Sequence, residues 1–109
     1  MLKKQNRLGK ITRKKGDRLF TFPLFNLSVF DNKEKTTRFA FIVSKKIDKR
    51  AVIRNRTKRV LRSVVEEMVG KTSGGKNIVI VSKKALMFNQ KKEAFEILQD
   101  TFRKIGILE

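Results

Sequence analysis

Five basic side chains crowd into nine consecutive positions of this chain, with no acidic residue among them. On a helix, like charges four residues apart repel one another and destabilise the helix. Phosphate groups would reverse the sign of that interaction, and the planar fork of arginine suits bidentate contacts with them. The pattern predicts a helix that binds a polyanion. The five are Arg54, Arg56, Lys58, Arg59 and Arg62, and the next acids are Glu66 and Glu67.

The composition excludes several kinds of chemistry. The 109 residues include 28 Lys and Arg against 10 Asp and Glu, a net charge of +18, and they include no His and no Cys. Disulfides, thiolate catalysis, Cys/His zinc sites and histidine acid–base chemistry are therefore ruled out. Glu66 and Glu67 adjoin, but helix neighbours point about 100° apart and make a poor metal pair. We expect no catalytic residue and no tightly bound metal in the protein itself.

The charge is concentrated in the first part of the chain. Residues 1–62 hold 20 basic and 4 acidic residues, whereas residues 63–109 hold 8 and 6. We expect one polyanion-binding domain over residues 1–109, with residues 1–15 a flexible basic segment when free, because they are highly charged and contain few apolar residues. No stretch approaches the roughly 20 apolar residues that span a bilayer, and no signal-peptide core is evident. The expected location is the cytoplasm, with no membrane partner.

Hydrophobic periodicity supplies the elements that must position the basic residues. Alternation predicts a strand within residues 22–30, and the polar turn that follows predicts an antiparallel return over residues 37–44. A continuous apolar run predicts a central strand near residues 77–82. Helical spacing covers about residues 51–69 and 90–105, with Asn89 as the cap of the second helix. The fold class is α+β: a small two-layer α/β sandwich, a mixed sheet with helices packed on it.

The first helix separates apolar from basic positions. A solvated helix face would intersperse acids for i,i+4 pairing, which this one lacks before Glu66. A membrane-binding amphipathic helix is the other alternative, but its apolar side is needed by the sheet and offers no aromatic anchor. A nucleic-acid-binding helix fits best. Its apolar stripe consists of Ile53, Thr57, Val60, Leu61, Val64 and Met68.

Residues 38–62, RFAFIVSKKIDKRAVIRNRTKRVLR, resemble the signature of the bacterial ribonuclease P protein subunit: a strand, Ser-Lys-Lys, then the Arg-Asn-Arg helix. Asn6-Arg7-Leu8 and the later IVIVSKK also resemble that family. The resemblance implies a subunit that binds the catalytic RNA of ribonuclease P and the 5′ leader of precursor tRNA. Such a subunit would assist leader removal that the RNA catalyses, with Mg²⁺ bound mainly by the RNA. It also implies a left-handed βαβ crossover, against the usual right-handed rule.

The resemblance also implies which residues contact RNA. A cleft for the single-stranded leader would lie beside Lys45, Lys46 and Lys83, because a basic groove with aromatic side chains suits single strands. Its aromatic residues would be Phe20, Phe22 and Phe25, for which a place in the core is the alternative. The positions that match the family's RNA-binding residues are Lys45, Lys46, Arg54, Asn55, Arg56, Lys58, Arg59 and Arg62.

Other functions stay open at this point. A small basic ribosomal protein that binds ribosomal RNA would carry similar tails and helices. A DNA-binding nucleoid protein would more often be a symmetric dimer, and nothing here marks a dimer seam, so we predict no obligate homo-oligomer. A protein nuclease would need clustered carboxylates or histidine, which the sequence lacks. The contiguous Ser-Lys-Lys and Arg-Asn-Arg segments favour the ribonuclease P subunit.

Overall fold

The structure, a computed structural model, describes residues 18–31 and 36–108. The helices and strands follow one another in the predicted order, and one short strand, β1, precedes the first predicted strand. The helices adjoin short 3₁₀ turns, one after α1 and one before α2. The strands are β1 (Arg18–Thr21), β2 (Phe25–Asp31), β3 (Arg38–Ile42) and β4 (Lys76–Ser82). The helices are α1 (Ala51–Met68) and α2 (Lys91–Lys104), and the 3₁₀ turns are Val69–Lys71 and Phe88–Gln90.

The four strands form one mixed sheet in the order β1-β2-β4-β3. β2 is antiparallel to both of its neighbours, whereas β3 runs parallel to β4. The antiparallel direction predicted for β3 relative to β2 is confirmed, but the two strands do not pair, because β4 lies between them. The apolar run of β4 explains this insertion, since Ile78, Val79 and Ile80 are buried and suit a central position. The left hand of the β3–α1–β4 crossover stays a prediction.

The main core lies between the helices and one face of the sheet. The predicted stripe of α1 is buried from Thr57 to Met68, with Val65 in addition, and Ile53 is half-buried. In α2, Leu98 and Phe102 are fully buried. The rings of Phe39 on β3 and Phe102 on α2 pack with their centroids 5.9 Å apart. The α+β sandwich predicted from the sequence is confirmed.

The N-terminal cap of α2 differs from the prediction. Asn89 lies in the preceding 3₁₀ turn, so it does not cap α2, and Gln90 takes the N-cap position. The Gln90 side chain instead accepts a hydrogen bond from the Met87 N–H at 2.9 Å. At the other end Gly106 has φ +85°, and the Ile107 N–H returns to the Phe102 carbonyl at 3.1 Å. This left-handed turn closes α2 and folds Ile107 into the core.

None of the helices within residues 18–31 and 36–108 combines the length and apolarity needed to cross a bilayer. The expected flexible segment, residues 1–15, lies outside the described residues. The boundaries of the single domain and the cytoplasmic location therefore stay predictions.

Candidate nucleic-acid interface

Two basic loops leave the same edge of the sheet. β3 and β4 are parallel and pair Ile42 with Val81, so the segments that follow them start side by side. We name residues 43–50 loop A and residues 83–87 loop B. Their lysine side chains are exposed, and the loops bring predicted RNA-binding residues from distant parts of the sequence to one edge. These exposed lysines are Lys45, Lys46 and Lys49 in loop A and Lys83 and Lys84 in loop B.

The outward face of α1 carries four of the predicted residues, which we call the α1 ridge: Asn55, Lys58, Arg59 and Arg62. Asn55 and Arg59 are exposed, and Lys58 and Arg62 are half-buried. The Arg62 guanidinium lies 5.9 Å from the centroid of the Phe41 ring on β3, close enough for a cation–π interaction. Among the described residues, no acid forms an ion pair with these bases. Their charge is not neutralised within that part of the chain.

Arg54 joins α1 to loop A. Its Nη1 donates to the carbonyl oxygens of Asp48 and Lys49, at 3.0 and 2.8 Å. The Asp48 carboxylate accepts the Arg50 backbone N–H at 2.9 Å and the Arg50 Nε–H and Nη2–H at 3.1 and 2.9 Å. The hydrogen bonds from the Arg50 side chain, and then from its backbone, lower the pKa of Asp48 to about 2. Loop A is therefore fastened to the first turns of the helix.

Arg56 and Thr57 join α1 to loop B. Arg56 Nε donates to the Leu86 carbonyl oxygen at 3.0 Å, and the Leu86 N–H donates to Thr57 Oγ1 at 2.9 Å. The Thr57 hydroxyl in turn donates a hydrogen bond to the Ile53 carbonyl oxygen at 3.0 Å. The Leu86 side chain is fully buried. Both backbone polar groups of Leu86 are thus satisfied by α1, a connection for which the sequence carries no signal, since the partners are about 30 residues apart.

The predicted aromatic residues are placed unequally. Phe25 is fully buried, so its ring has no face open to a base, and it belongs to the core. Phe20 is half-buried and pairs with Leu27 in the β1–β2 register, so it lies on the helix-covered face. Phe22 is half-buried, with its ring packed edge-on to Phe25 at a centroid distance of 5.7 Å. Alternation along β2 puts Phe25 and Leu27 on the same face of the strand, but alternation alone does not say which face the helices cover.

Backbone contacts bring Lys83 and Phe22 to one place. The Lys83 N–H donates to the Leu24 carbonyl at 3.0 Å, and the Phe22 N–H donates to the Phe25 carbonyl at 3.0 Å. Loop B therefore begins against the turn that joins β1 and β2. Of the aromatic residues predicted for the cleft, Phe22 is the one that combines an exposed portion with a position beside an exposed lysine.

The adjoining acids of α1 have separate surroundings. Glu67 forms an ion pair with Lys91 of α2 at 3.0 Å, and Glu66 is half-buried. Within residues 18–31 and 36–108, no three His, Cys, Asp or Glu side chains gather closely enough to hold a metal ion. Glu67 thus links the two helices, and the described residues form no cluster of three such side chains.

Comparison with known proteins assigns the family. The family model described as Ribonuclease P matches residues 1–106. The chain is 38% identical over 85 residues to the ribonuclease P protein component of a Pseudanabaena species, with 73% of each sequence covered. It is 43% identical over 58 residues to the same component of Fusobacterium nucleatum, with 51% of each covered.

Solved structures agree with the fold. The ribonuclease P protein of Staphylococcus aureus superimposes with a TM-score of 0.69 at 22% identity, over 94% of this chain and 93% of that one. The protein from Thermotoga maritima gives a TM-score of 0.60 at 20% identity, over 84% and 82% of the two chains. At these identities the structures show a shared fold, and the sequence matches supply the relationship. The chain therefore belongs to the ribonuclease P protein family.

Proposed function

We propose that this chain is the protein subunit of a ribonuclease P, and that the α1 ridge with the lysines of loops A and B binds the catalytic RNA. The observation that carries the proposal is the α1 ridge itself. Three cations and an amide occupy one helix face, and no described acid pairs with them. RNA phosphates would turn the mutual repulsion of these cations into attraction and release condensed counterions. Membership in the family makes the RNA of ribonuclease P the expected partner.

The 5′ leader of precursor tRNA is the proposed second ligand. We place it at the edge where loops A and B begin, beside Phe22 and Lys83. A half-exposed aromatic ring next to lysines can stack on any base while the ammonium groups follow the phosphates, which suits a leader of variable sequence. Phe20, predicted for the same cleft, is half-buried on the helix-covered face. Phe25 has no part in it, because its ring is fully enclosed.

The proposed contribution of the protein to cleavage is binding. The chain has no His and no Cys, and its described carboxylates form no metal-binding group. We propose that the Mg²⁺ ions that support hydrolysis are held mainly by the partner RNA. The protein would neutralise phosphates and hold the leader, which favours the substrate complex at Mg²⁺ concentrations where the RNA alone is slow.

Reconstitution tests this proposal. The purified protein is combined with a bacterial ribonuclease P RNA and a precursor tRNA carrying a 5′ leader, at near-physiological Mg²⁺, and cleavage is compared with and without protein. One triple variant removes charge from the α1 ridge: Lys58→Gln, Arg59→Gln and Arg62→Gln. A matched triple variant removes the same charge from α2: Lys92→Gln, Arg103→Gln and Lys104→Gln.

We expect the wild-type protein and the α2 variant to stimulate cleavage, and the α1 variant to lose the stimulation. Equal loss in both triple variants would mean that net charge alone matters, and it would contradict the α1 ridge as the binding surface. No stimulation by the wild-type protein, combined with tight binding to ribosomal RNA, would favour the ribosomal alternative. Cleavage by the protein with Mg²⁺ and no partner RNA would instead indicate a protein nuclease.

A further inference from the structure

We infer that Arg54 and Arg56 are positioning residues: they hold loops A and B in fixed conformations, and the loop lysines contact the RNA. The inference rests on the proposed function, because it assigns roles within the same surface. The resemblance alone assigns both arginines to the RNA. In the structure each guanidinium is instead engaged by main-chain carbonyls of a different loop. Asn55, between them, is exposed.

The Arg54 contacts lie where the helix itself cannot supply donors. Asp48 and Lys49 precede the N-cap residue Arg50, so their carbonyls lie before the start of the α1 hydrogen-bond ladder. Arg54 supplies a charged donor to both of these carbonyls. Asp48, the one acid in loop A, is occupied by Arg50. The arrangement fixes the loop while leaving Lys45, Lys46 and Lys49 exposed and without an ion pair to Asp48.

The Arg56 contact fixes loop B from the same helix. A charged donor on the Leu86 carbonyl, with Thr57 accepting the Leu86 N–H, holds that residue at both of its backbone groups. Lys83 and Lys84 precede this fixed point, with Ala85 between them and Leu86. The other end of the loop is held by the bond from the Lys83 N–H to the Leu24 carbonyl. Loop B is therefore anchored on either side of its two exposed lysines.

Anchored loops bind RNA at a smaller cost in conformational entropy than mobile ones. Removing a positioning arginine should therefore weaken binding through the lysines of its own loop. A residue that touches phosphate directly behaves differently, since its removal costs the same whether or not the loop lysines are present. This difference is measurable as coupling in a double-mutant cycle.

The experiment measures the dissociation constant for ribonuclease P RNA over a series of salt concentrations. Arg56→Met is introduced into the wild-type protein and into a variant that carries Lys83→Gln and Lys84→Gln. We expect about a threefold or larger loss of affinity in the wild-type background, and less than about a twofold loss in the lysine-free background. The salt slope should fall in the first background and stay constant in the second. Arg54→Met is tested in the same way against Lys45→Gln and Lys46→Gln.

A slope lower by about 0.7 to 0.9 in both backgrounds would show a direct phosphate contact and overturn the inference. Arg59→Gln is the control for such a contact, because it belongs to the α1 ridge and should lower the slope in every background. If Arg59→Gln leaves affinity unchanged, the proposed RNA surface fails, an outcome distinct from failure of the positioning role. If Arg56→Met does not fold, Arg56→Gln enters the same cycle.

Hydrogen exchange supplies a readout of loop B in the free protein. The Leu86 amide, which donates to Thr57, should exchange faster in Arg56→Met than in the wild type, while amides of α2 keep their protection. Unchanged protection at Leu86 would mean that Arg56 does not hold the loop, and it would contradict the inference even if RNA binding weakens.

Discussion

Helices α1 and α2 pack against the sheet in the same way, but their exposed faces carry different charge patterns. Both pack an apolar stripe on one face of the sheet, and both bury a threonine in that stripe. The exposed side of α2 mixes acids and bases, and its Asp100 and Lys104 form an i,i+4 ion pair at 3.2 Å. Glu93 in its first turn and bases in its last turn also complement the helix dipole, whereas α1 has no acid in its first turn and no base in its last.

This contrast supports the RNA-binding surface proposed on α1. A helix such as α2 balances its charges within the fold. No described acid balances the α1 ridge, which supports the proposed binding of an anionic partner there. The buried threonines differ in the same way: Thr57 accepts a hydrogen bond from loop B, whereas Thr101 donates to Ile97 of its own helix at 2.8 Å. α1 organises surrounding loops, and α2 completes the core.

The largest expected effect concerns the two threonines. Thr57→Val should lower the free energy of unfolding by about 1–3 kcal/mol, because it leaves the buried Leu86 N–H without an acceptor. Thr101→Val should cost less than about 1 kcal/mol, since its hydroxyl serves a helix carbonyl that already has an α-helical partner. Urea denaturation of both variants measures the difference. Equal losses of unfolding free energy would mean that the hydrogen bond from loop B to Thr57 adds nothing beyond what a buried threonine contributes in α2.

The next prediction concerns a substitution that gives α1 the mixed charges of α2. Lys58→Glu places a carboxylate four residues from Arg62, so the free protein should gain about 0.2–0.5 kcal/mol from that pair, while Arg54 stays bound to the loop A carbonyls. Affinity for ribonuclease P RNA should fall at least about tenfold, because one phosphate contact becomes a repulsion. Stability is measured by denaturation and affinity by filter binding. We expect the variant to be more stable but to bind RNA more weakly, because the repulsion among the α1 cations is relieved by RNA and not by the protein itself.

The matched control is Lys92→Glu, the same charge change on α2. It should change RNA affinity less than about threefold. Its effect on stability should be small, because the repulsion from Glu96 four residues away is offset by the favourable helix dipole in the first turn of α2. An affinity loss equal to that of Lys58→Glu would place RNA on α2 as well and would end the contrast between the helices.

A smaller effect is expected for the surface pair on α2. Lys104→Gln should lower the free energy of unfolding by about 0.3–0.5 kcal/mol in dilute salt, because both partners are largely exposed and the pair is screened by water. The loss should disappear near 1 M salt, where screening removes the attraction. A melting series at the two salt concentrations measures it. A loss that persists at high salt would mean that Lys104 contributes by packing.

The smallest expected effect is a pH dependence of stability that arises from Asp48, just before the start of α1. The pKa of Asp48 is lowered from 3.8 to about 2 by the Arg50 hydrogen bonds, so its ionised form stabilises the folded protein. That stabilisation is present above the ordinary pKa and is lost as pH falls through the folded value. The melting temperatures of wild type and Asp48→Asn should differ by a constant amount above about pH 5, and the gap should close between about pH 4 and 2. A gap independent of pH would show that Asp48 acts without its charge.

Local pattern predicted much of this protein. The 3.6-residue period predicted both helices and the buried stripe of α1, because the side of a helix that meets a sheet is determined by residues three and four positions apart. The apolar run of β4 predicted its central position for a similar local reason. The spacing of bases in α1, together with the resemblance of residues 38–62 to ribonuclease P protein subunits, indicated the family from the amino-acid sequence alone.

Strand pairing, the burial of Phe25 and the partners of the arginines required the tertiary structure. A short polar segment in the sequence between β2 and β3 is compatible with a hairpin or with a third strand inserted between them, and only the assembled sheet decides between the two. Alternation places Phe25 and Leu27 on one face, but the position of the helices decides which face is covered. Arg54 and Arg56 look alike in the sequence, and the carbonyls they bind are main-chain atoms of other loops. Side-chain periodicity is a local property that the sequence carries directly, whereas backbone contacts between distant segments exist only once the chain has folded.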